Sequence, residues 1–190
     1  MSLPPRIALY TFGIFIKPSA DPANASFHAR NDANLLAAEN AAGFIARSGY
    51  DGDPGPLSWG AHCYPRFYTQ HSDAHSPSTL SLWADLESPF AYAYHGIHAE
   101  ALSHGRDWFL QPVKPPAKPA WPPYVLWWVA ADEQPAWRDA VTRLEHLHDH
   151  GPSAFAFSWA APLDAAGQPA VIDRNRVRDL ASANRSTQGM

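Results

Sequence analysis

Apolar and polar positions alternate along some stretches of this chain and recur every three or four residues along others. These two rhythms divide it into strands and helices. Residues 7–16, IALYTFGIFI, read as a first strand rich in β-branched and aromatic side chains. From about residue 26 to 47, Phe27, Leu35, Leu36, Ala38, Ala42 and Ile45 keep a helical spacing. A loop of Gly, Asp and Pro, residues 48–56, leads to a second predicted strand over 57–68, where Pro65 marks an edge or a bulge. Leu80, Leu82 and Ala84 alternate with Ser81, Trp83 and Asp85, which predicts a third strand. Ser88 then suits a helix cap and Pro89 a first helical position, so a helix is expected from Pro89 to about Phe109. Residues 124–131, YVLWWVAA, predict a fourth strand. Trp137, Val141, Leu144 and Leu147 form the stripe of a helix opened by Pro135 and stopped by Gly151-Pro152. AFAFSW, residues 154–159, alternates as a last short strand would.

The first six elements run βαββαβ. That order predicts an α+β, ferredoxin-like domain over residues 1–162: a four-stranded antiparallel sheet with helices on one face, followed by a tail over 163–190 holding at most one short helix. The other face of such a sheet would be apolar and bare. A second copy across a two-fold axis would cover it most simply, so a homodimer is expected, with a cavity between sheet and helices.

Composition narrows the function. Hydrophobic residues make up 46% and charged residues 17%, which favours a packed core over disorder. The net charge of -4, with no Lys/Arg cluster, argues against a nucleic-acid surface. No apolar run is long enough to cross a bilayer. Cys63 is the single cysteine, which rules out an internal disulfide and fits a reducing compartment, so the cytoplasm is the expected location. Eight Trp in a chain this short give rings for a core and also walls for a flat ligand.

Candidate chemistry centres on the helix after the third strand. There Tyr94, His98 and Leu102 share a face, with His95 at its flank. An imidazole in that setting is either a neutral, hydrogen-bonded core group or an acid–base group or metal ligand. Trp83, Trp108, Phe109, Trp127 and Trp128 are the candidate walls of a pocket. Trp127 and Trp128 are adjacent on a strand, so their rings point to opposite faces. Two other histidine groups compete. His71, Asp73 and His75 lie in a polar connection that reads as solvated, and His146 and His150 stand at i,i+4 in a last helical turn. The latter spacing can hold zinc, but a full site needs more ligands, and histidines there also suit the helix dipole. The proline-rich residues 110–123 read as a stiff connector.

Two stretches carry a resemblance to a known family. LSLWADLESPFAYAYHGIHAEALSHGRDWF resembles that family's strand and its helix with Y-x-x-x-H and a closing W-F, which places Tyr94, His98, Trp108 and Phe109 on its pattern. YVLWWVAADEQPAWRDAVTRLEHLHDHGPSAFAF resembles its LWW strand and a helix ending L-E-H-L-x-x-H-G-P-S, which places Trp127, Trp128, Glu145, His146, His150, Gly151 and Ser153. The family is bacterial and fungal, of unknown function, and grouped with the dimeric α+β barrel, monooxygenase-like proteins. The resemblance implies an oxidoreductase acting on a small hydrophobic, aromatic molecule, with or without haem b. In haem-binding members a histidine on the comparable helix can be the axial ligand, which would make His98 the iron ligand. The complete Asn, Trp and His set of the haem-degrading members has no counterpart here. A lyase or cyclase using His98 as acid–base, and a binding protein without turnover, are the competing expectations.

Overall fold

The structure, a computed structural model, describes residues 3–68, 75–111 and 121–188. Its elements run β1 (Arg6–Phe12), α1 (Ala25–Glu39), β2 (Phe44–Arg47), β3 (Ser78–Trp83), α2 (Glu87–Tyr94), α3 (Gly96–Ser103), α4 (Gly105–Trp108), β4 (Tyr124–Val129), α5 (Trp137–His150) and α6 (Arg174–Gln188). The fold is α+β. Among the described residues, four strands form one antiparallel sheet in the order β2-β3-β1-β4, accompanied by six helices.

Strand alternation sorts side chains into two cores. Ile7, Leu9, Trp83 and Leu126 project to one side and meet Ala38 of α1, Ala91 of α2, and Val177, Leu180 and Ala181 of α6. Ala8, Tyr10, Phe12, Leu80, Leu82, Val125 and Trp127 project to the other side, against Trp59, Phe67 and the α5 residues Trp137, Ala140 and Leu144. Full burial of one Leu such as Leu144 is worth roughly 1.5–3 kcal/mol, so each layer is a substantial core. The expected bare face is therefore not bare. The stripe of α5 and the segment 48–68 cover it from the same chain, and the argument for a second copy built on that face falls.

Several element boundaries differ from the sequence reading, each for a local reason. The helix expected to reach residue 47 ends at Glu39, where the Asn40 N–H bonds to the Leu36 carbonyl at 3.0 Å. Gly43 then turns the chain with φ +81°, and a Cβ there would lie 2.0 Å from Ser88 Oγ. Residues 44–47 leave that turn as the edge strand β2. The stretch 57–68 is not a strand. The Trp59 N–H bonds to Ser48 Oγ at 2.9 Å and the Gly49 N–H to the Leu57 carbonyl at 3.0 Å, closing a loop whose Trp59 ring enters the core. Its apolar residues signal burial by a loop, which mimics a strand pattern.

The helix expected over 89–109 is three short helices. His95 is extended (φ -138°, ψ 156°) and Gly96 has φ +67°, which breaks the helix between Tyr94 and His98. Its start is capped by Asp85, not Ser88: the Asp85 carboxylate accepts from the Ser88 N–H at 2.8 Å and from Ser88 Oγ–H at 2.6 Å. The first strand stops at Phe12, although Phe15 still bridges to Phe109. In the stretch 154–159, Phe157 exchanges two backbone bonds with Leu126, at 2.8 and 2.9 Å, as a bridge on β4. Beyond residue 162 the chain is knit to the core. Asn184 Oδ1 accepts from the Ala42 N–H at 2.8 Å, and Arg176 pairs with Asp85 at 2.5 Å. No helix among the described residues is long and apolar enough to cross a membrane.

Candidate functional site

The break at His95 parts the two residues that a continuous helix would align. Tyr94 ends α2, half exposed, with its ring 4.7 Å from Phe90 and 5.6 Å from Trp159. His98 sits in α3 with its ring 4.7 Å from Tyr92. Its Nδ1–H donates to the Ala93 carbonyl at 3.0 Å. A helix leaves its last carbonyls without partners, so this bond closes the end of α2. Burial lowers the pKa of His98 against a smaller raising effect of the Ala93 bond, which favours the neutral ring. His95 forms the joint itself and is half-buried.

The predicted walls are spread over the molecule. Trp83 stacks on Tyr92 at 5.4 Å, so Trp83, Tyr92 and His98 form one continuous string. Trp108 and Phe109 gather around Phe27, each at 5.5 Å, and Trp108 Nε1–H donates to Ser26 Oγ at 3.0 Å. Trp127 lies on the far side of the sheet beneath the Arg143 guanidinium, 5.2 Å from its ring centre. Trp128 occupies the helix side, where its Nε1–H donates to the Leu163 carbonyl at 2.9 Å. The opposed orientation of this Trp pair follows the strand pleat as expected.

An axial histidine must present its free nitrogen to a slot that admits a porphyrin. The His98 ring is instead packed on Tyr92. Two open surface hollows, one bordered by Glu39, Phe44, Arg47 and Pro56 and the other by Leu3, Pro5 and Asp132, do not include it. The residues around His98 do not fit haem in this arrangement. No group of three or more His, Cys, Asp or Glu among the described residues is placed to hold a metal ion. His146 and His150 are neighbours at 4.7 Å, but His146 Nε2 is engaged with Ser153 Oγ at 3.2 Å. Of the other candidate group, His71 and Asp73 lie outside the described residues, and His75 is exposed.

A different constellation lies on the α5 side of the sheet, and the sequence reading passed over it. Ser78 opens β3 diagonally across the ladder from Tyr10. The Ser78 carbonyl accepts from Tyr50 Oη–H at 2.5 Å, and Ser78 Oγ is 2.9 Å from His62 Nε2. The His62 ring is held between Tyr64 and Trp137, 4.6 Å from each. Tyr64 in turn accepts the Ser76 N–H at 3.2 Å. Two anchors set this arrangement. The Trp59 loop bonds to α5, with the Trp137 N–H donating to the Trp59 carbonyl at 3.2 Å. Further along, the Arg66 N–H donates to Glu145 at 2.7 Å and its guanidinium bonds both Asp149 oxygens, at 3.0 and 2.5 Å.

Electrostatics at this cluster favour neutral groups. Burial lowers the His62 pKa, and His75 lowers it further against an opposing pull from Asp51. Tyr50 is pushed up to about 12, first by burial. Tyr10 is raised well above the usual phenol range by burial, then by Cys63, Tyr64 and Tyr50, with hydrogen bonding to the Ser78 side chain acting the other way. That hydroxyl is sealed from solvent, and the Ser78 side chain is its polar neighbour, outside strict hydrogen-bonding geometry. Burial also raises the Cys63 thiol, which disfavours the thiolate needed of a nucleophile. The cluster therefore offers a neutral imidazole, a hydroxyl on it, and a buried phenol beside that hydroxyl. His62 falls within the predicted strand over 57–68, and because that strand does not form, its partners lie outside any strand pattern.

Residues 6–173 match the family described as a domain of unknown function (DUF3291), and the chain belongs to that family. No curated protein and no solved structure matches it. The family match ends at Asp173, and α6 begins at the next residue.

Proposed function

We propose that this DUF3291 member binds a small hydrophobic, aromatic molecule on the α5 side of its sheet and moves a proton on it. In this reading His62 is the base and Tyr10 is the hydrogen-bond donor. The observation that carries it is the Tyr10 hydroxyl, sealed and without a well-formed bond beside Ser78, whose own Oγ touches the His62 ring that burial keeps neutral. An unmade bond of this kind costs about 1–3 kcal/mol, and such departures cluster at sites where a ligand completes the bonding. The rings of Tyr50, Tyr64 and Trp137 around His62 suit an aromatic guest.

The strand order and the all-antiparallel pairing support a ferredoxin-like classification. The site needs no second copy, because α5 already closes the sheet. His98 has a sufficient role in ending α2. The acid–base reading expected for His98 thus moves to His62. A substrate whose carbanion is stable enough to reduce dioxygen directly would make the reaction an oxygenation without haem, using the same base. The test is a thermal-shift screen of phenols and polycyclic aromatics, followed by turnover assays on the hits. His62→Gln is expected to lower turnover about a hundredfold or more, while His98→Gln, once folded, retains it. Turnover that depends on His98 and ignores His62 would overturn the assignment.

A further inference from the structure

We propose that Ser78 is a covalent nucleophile for aryl esters, with His62 as its base and the Tyr10 hydroxyl as the donor to the developing oxyanion. This rests on the proposed site and adds a reaction to it. The geometry meets the requirements for acyl transfer in turn. Nucleophile and base are in contact, Ser78 Oγ to His62 Nε2 at 2.9 Å. The donor is in place: the Tyr10 hydroxyl lies beside Ser78 and interacts with its side chain. The backbone of Ser78 is fixed, because its residue opens a ladder strand and its carbonyl is held by Tyr50.

Burial keeps the base ready. His62 resists protonation as the pH falls, so its Nε2 lone pair is available to the Ser78 proton at neutral pH. The groups facing it are Ser78 from β3, Trp137 from α5, Tyr50 and Tyr64 from the covering segment, and Asp51 and His75 at longer range. Ser78 itself is buried and His62 half-buried, with His75 exposed nearby in sequence.

The substrate class follows from what the dyad lacks. No carboxylate among the described residues accepts from His62 Nδ1. Without that third group the imidazolium is less well stabilised, and only a good leaving group departs readily. An aryl ester supplies one, and its ring suits the aromatic surroundings. Ser78 Oγ bonds to the carbonyl carbon while its proton passes to His62 Nε2. The carbon–oxygen bond to the aryl group then breaks, and the aryl oxide leaves with the proton from His62. Water, deprotonated by the same imidazole, attacks the acyl-serine and releases the carboxylic acid and Ser78.

The experiment treats the full chain with p-nitrophenyl acetate. It follows p-nitrophenolate release and then maps the acetyl group by peptide mass spectrometry. One acetyl per chain on Ser78 is expected. The burst should fall about a hundredfold in Ser78→Ala and in His62→Gln, and stay unchanged in the exposed control Ser103→Ala. Circular dichroism and thermal melting check that each variant is folded. Acetylation of Cys63, a tyrosine or a lysine with Ser78 unmodified would overturn the proposal, as would a burst that survives in folded Ser78→Ala. The proton-transfer reading fails separately, through loss of His62 dependence on its own aromatic substrate.

Discussion

Tyr10→Phe separates a functional hydroxyl from a structural one. The ring is fully buried and meets Trp137 edge-on at 6.2 Å, a contact that phenylalanine keeps. Only the hydroxyl is removed, and it has no well-formed hydrogen bond in the fold although its atom is sealed from water. An unpaired buried hydroxyl costs about 1–3 kcal/mol of desolvation, so its deletion should stabilise the protein. The space it vacates is a single oxygen's, which returns part of that gain as lost packing. The net expectation is about +1 kcal/mol, or about 2–4 °C in the melting midpoint for a domain of this size. Urea unfolding followed by Trp fluorescence measures it, with the slope unchanged between wild type and variant. The same variant should weaken binding or turnover of any aromatic ligand found, because the uncommitted donor is gone. A stable variant with less activity is the signature of a site. A loss of 1 kcal/mol or more in Tyr10→Phe would mean that the hydroxyl is bonded in solution, and the reasoning from an unmade bond would then be refuted.

Gly43→Ala should cost at least about 2 kcal/mol, since it meets Ser88 Oγ at 2.0 Å on a backbone with φ +81°; denaturant titration tests this, and a neutral result would show the α1–β2 turn free to shift. His98→Gln should reduce the pH dependence of stability. The unfolded imidazole takes a proton near 6.5 while folded His98 resists it, so stability falls as the pH drops below 6.5 and is flat above it. His62 leaves a residual slope of the same sign, and unchanged curves in His98→Gln between pH 7 and 5 would argue against a neutral His98. Asp85 is held below its usual value: burial works to raise it, but bonds from Ser88 and Arg176 outweigh burial. Its contribution is therefore present above pH 3.8 and is lost as the pH falls through its lower folded value, and Asp85→Asn should remove that acid-side loss in a circular-dichroism titration.

The parts of this fold legible from residue pattern are those where pattern and packing agree. β1, β3, β4 and α5 fall where alternation or helical spacing places them, because their faces are buried by regular neighbours. Segment 48–68 is not legible from pattern, since Trp59 and Phe67 are buried by a loop and no periodicity distinguishes that from a strand. The run from Glu87 to Trp108 fails for another reason. Gly96 at φ +67° cuts a helix that apolar spacing alone would continue. That one residue also dismantled the expected site, because it turned Tyr94 and His98 towards different neighbours. His62 could not be found by spacing. Its partner Ser78 is sixteen residues away, and the two meet only because the Trp59 loop docks on α5.

The covering of both sheet faces constrains where chemistry can occur. A face sealed by a second chain would leave the helix layer as the place for a cavity, and that layer is packed with Trp83, Ala91, Leu126, Phe157 and the α6 residues Val177 and Leu180. On the other face, α5 and the Trp59 loop form the lid, but their cover is less apolar near the start of β3. There the core contains Tyr10 and is bordered by Tyr50, Cys63, Tyr64 and Tyr68. A core built only for stability would place aliphatic groups at such positions, since each buried hydroxyl there must find a partner or carry a cost. Tyr50 and Tyr64 have partners and Tyr10 does not. The difference within one cluster is what a ligand-binding role predicts: the bonded phenols set the frame, and the unbonded one is left for the guest. Nuclear magnetic resonance of the Tyr10 ring before and after ligand addition therefore reads the role directly, with a shift confined to Tyr10 and His62 expected on binding.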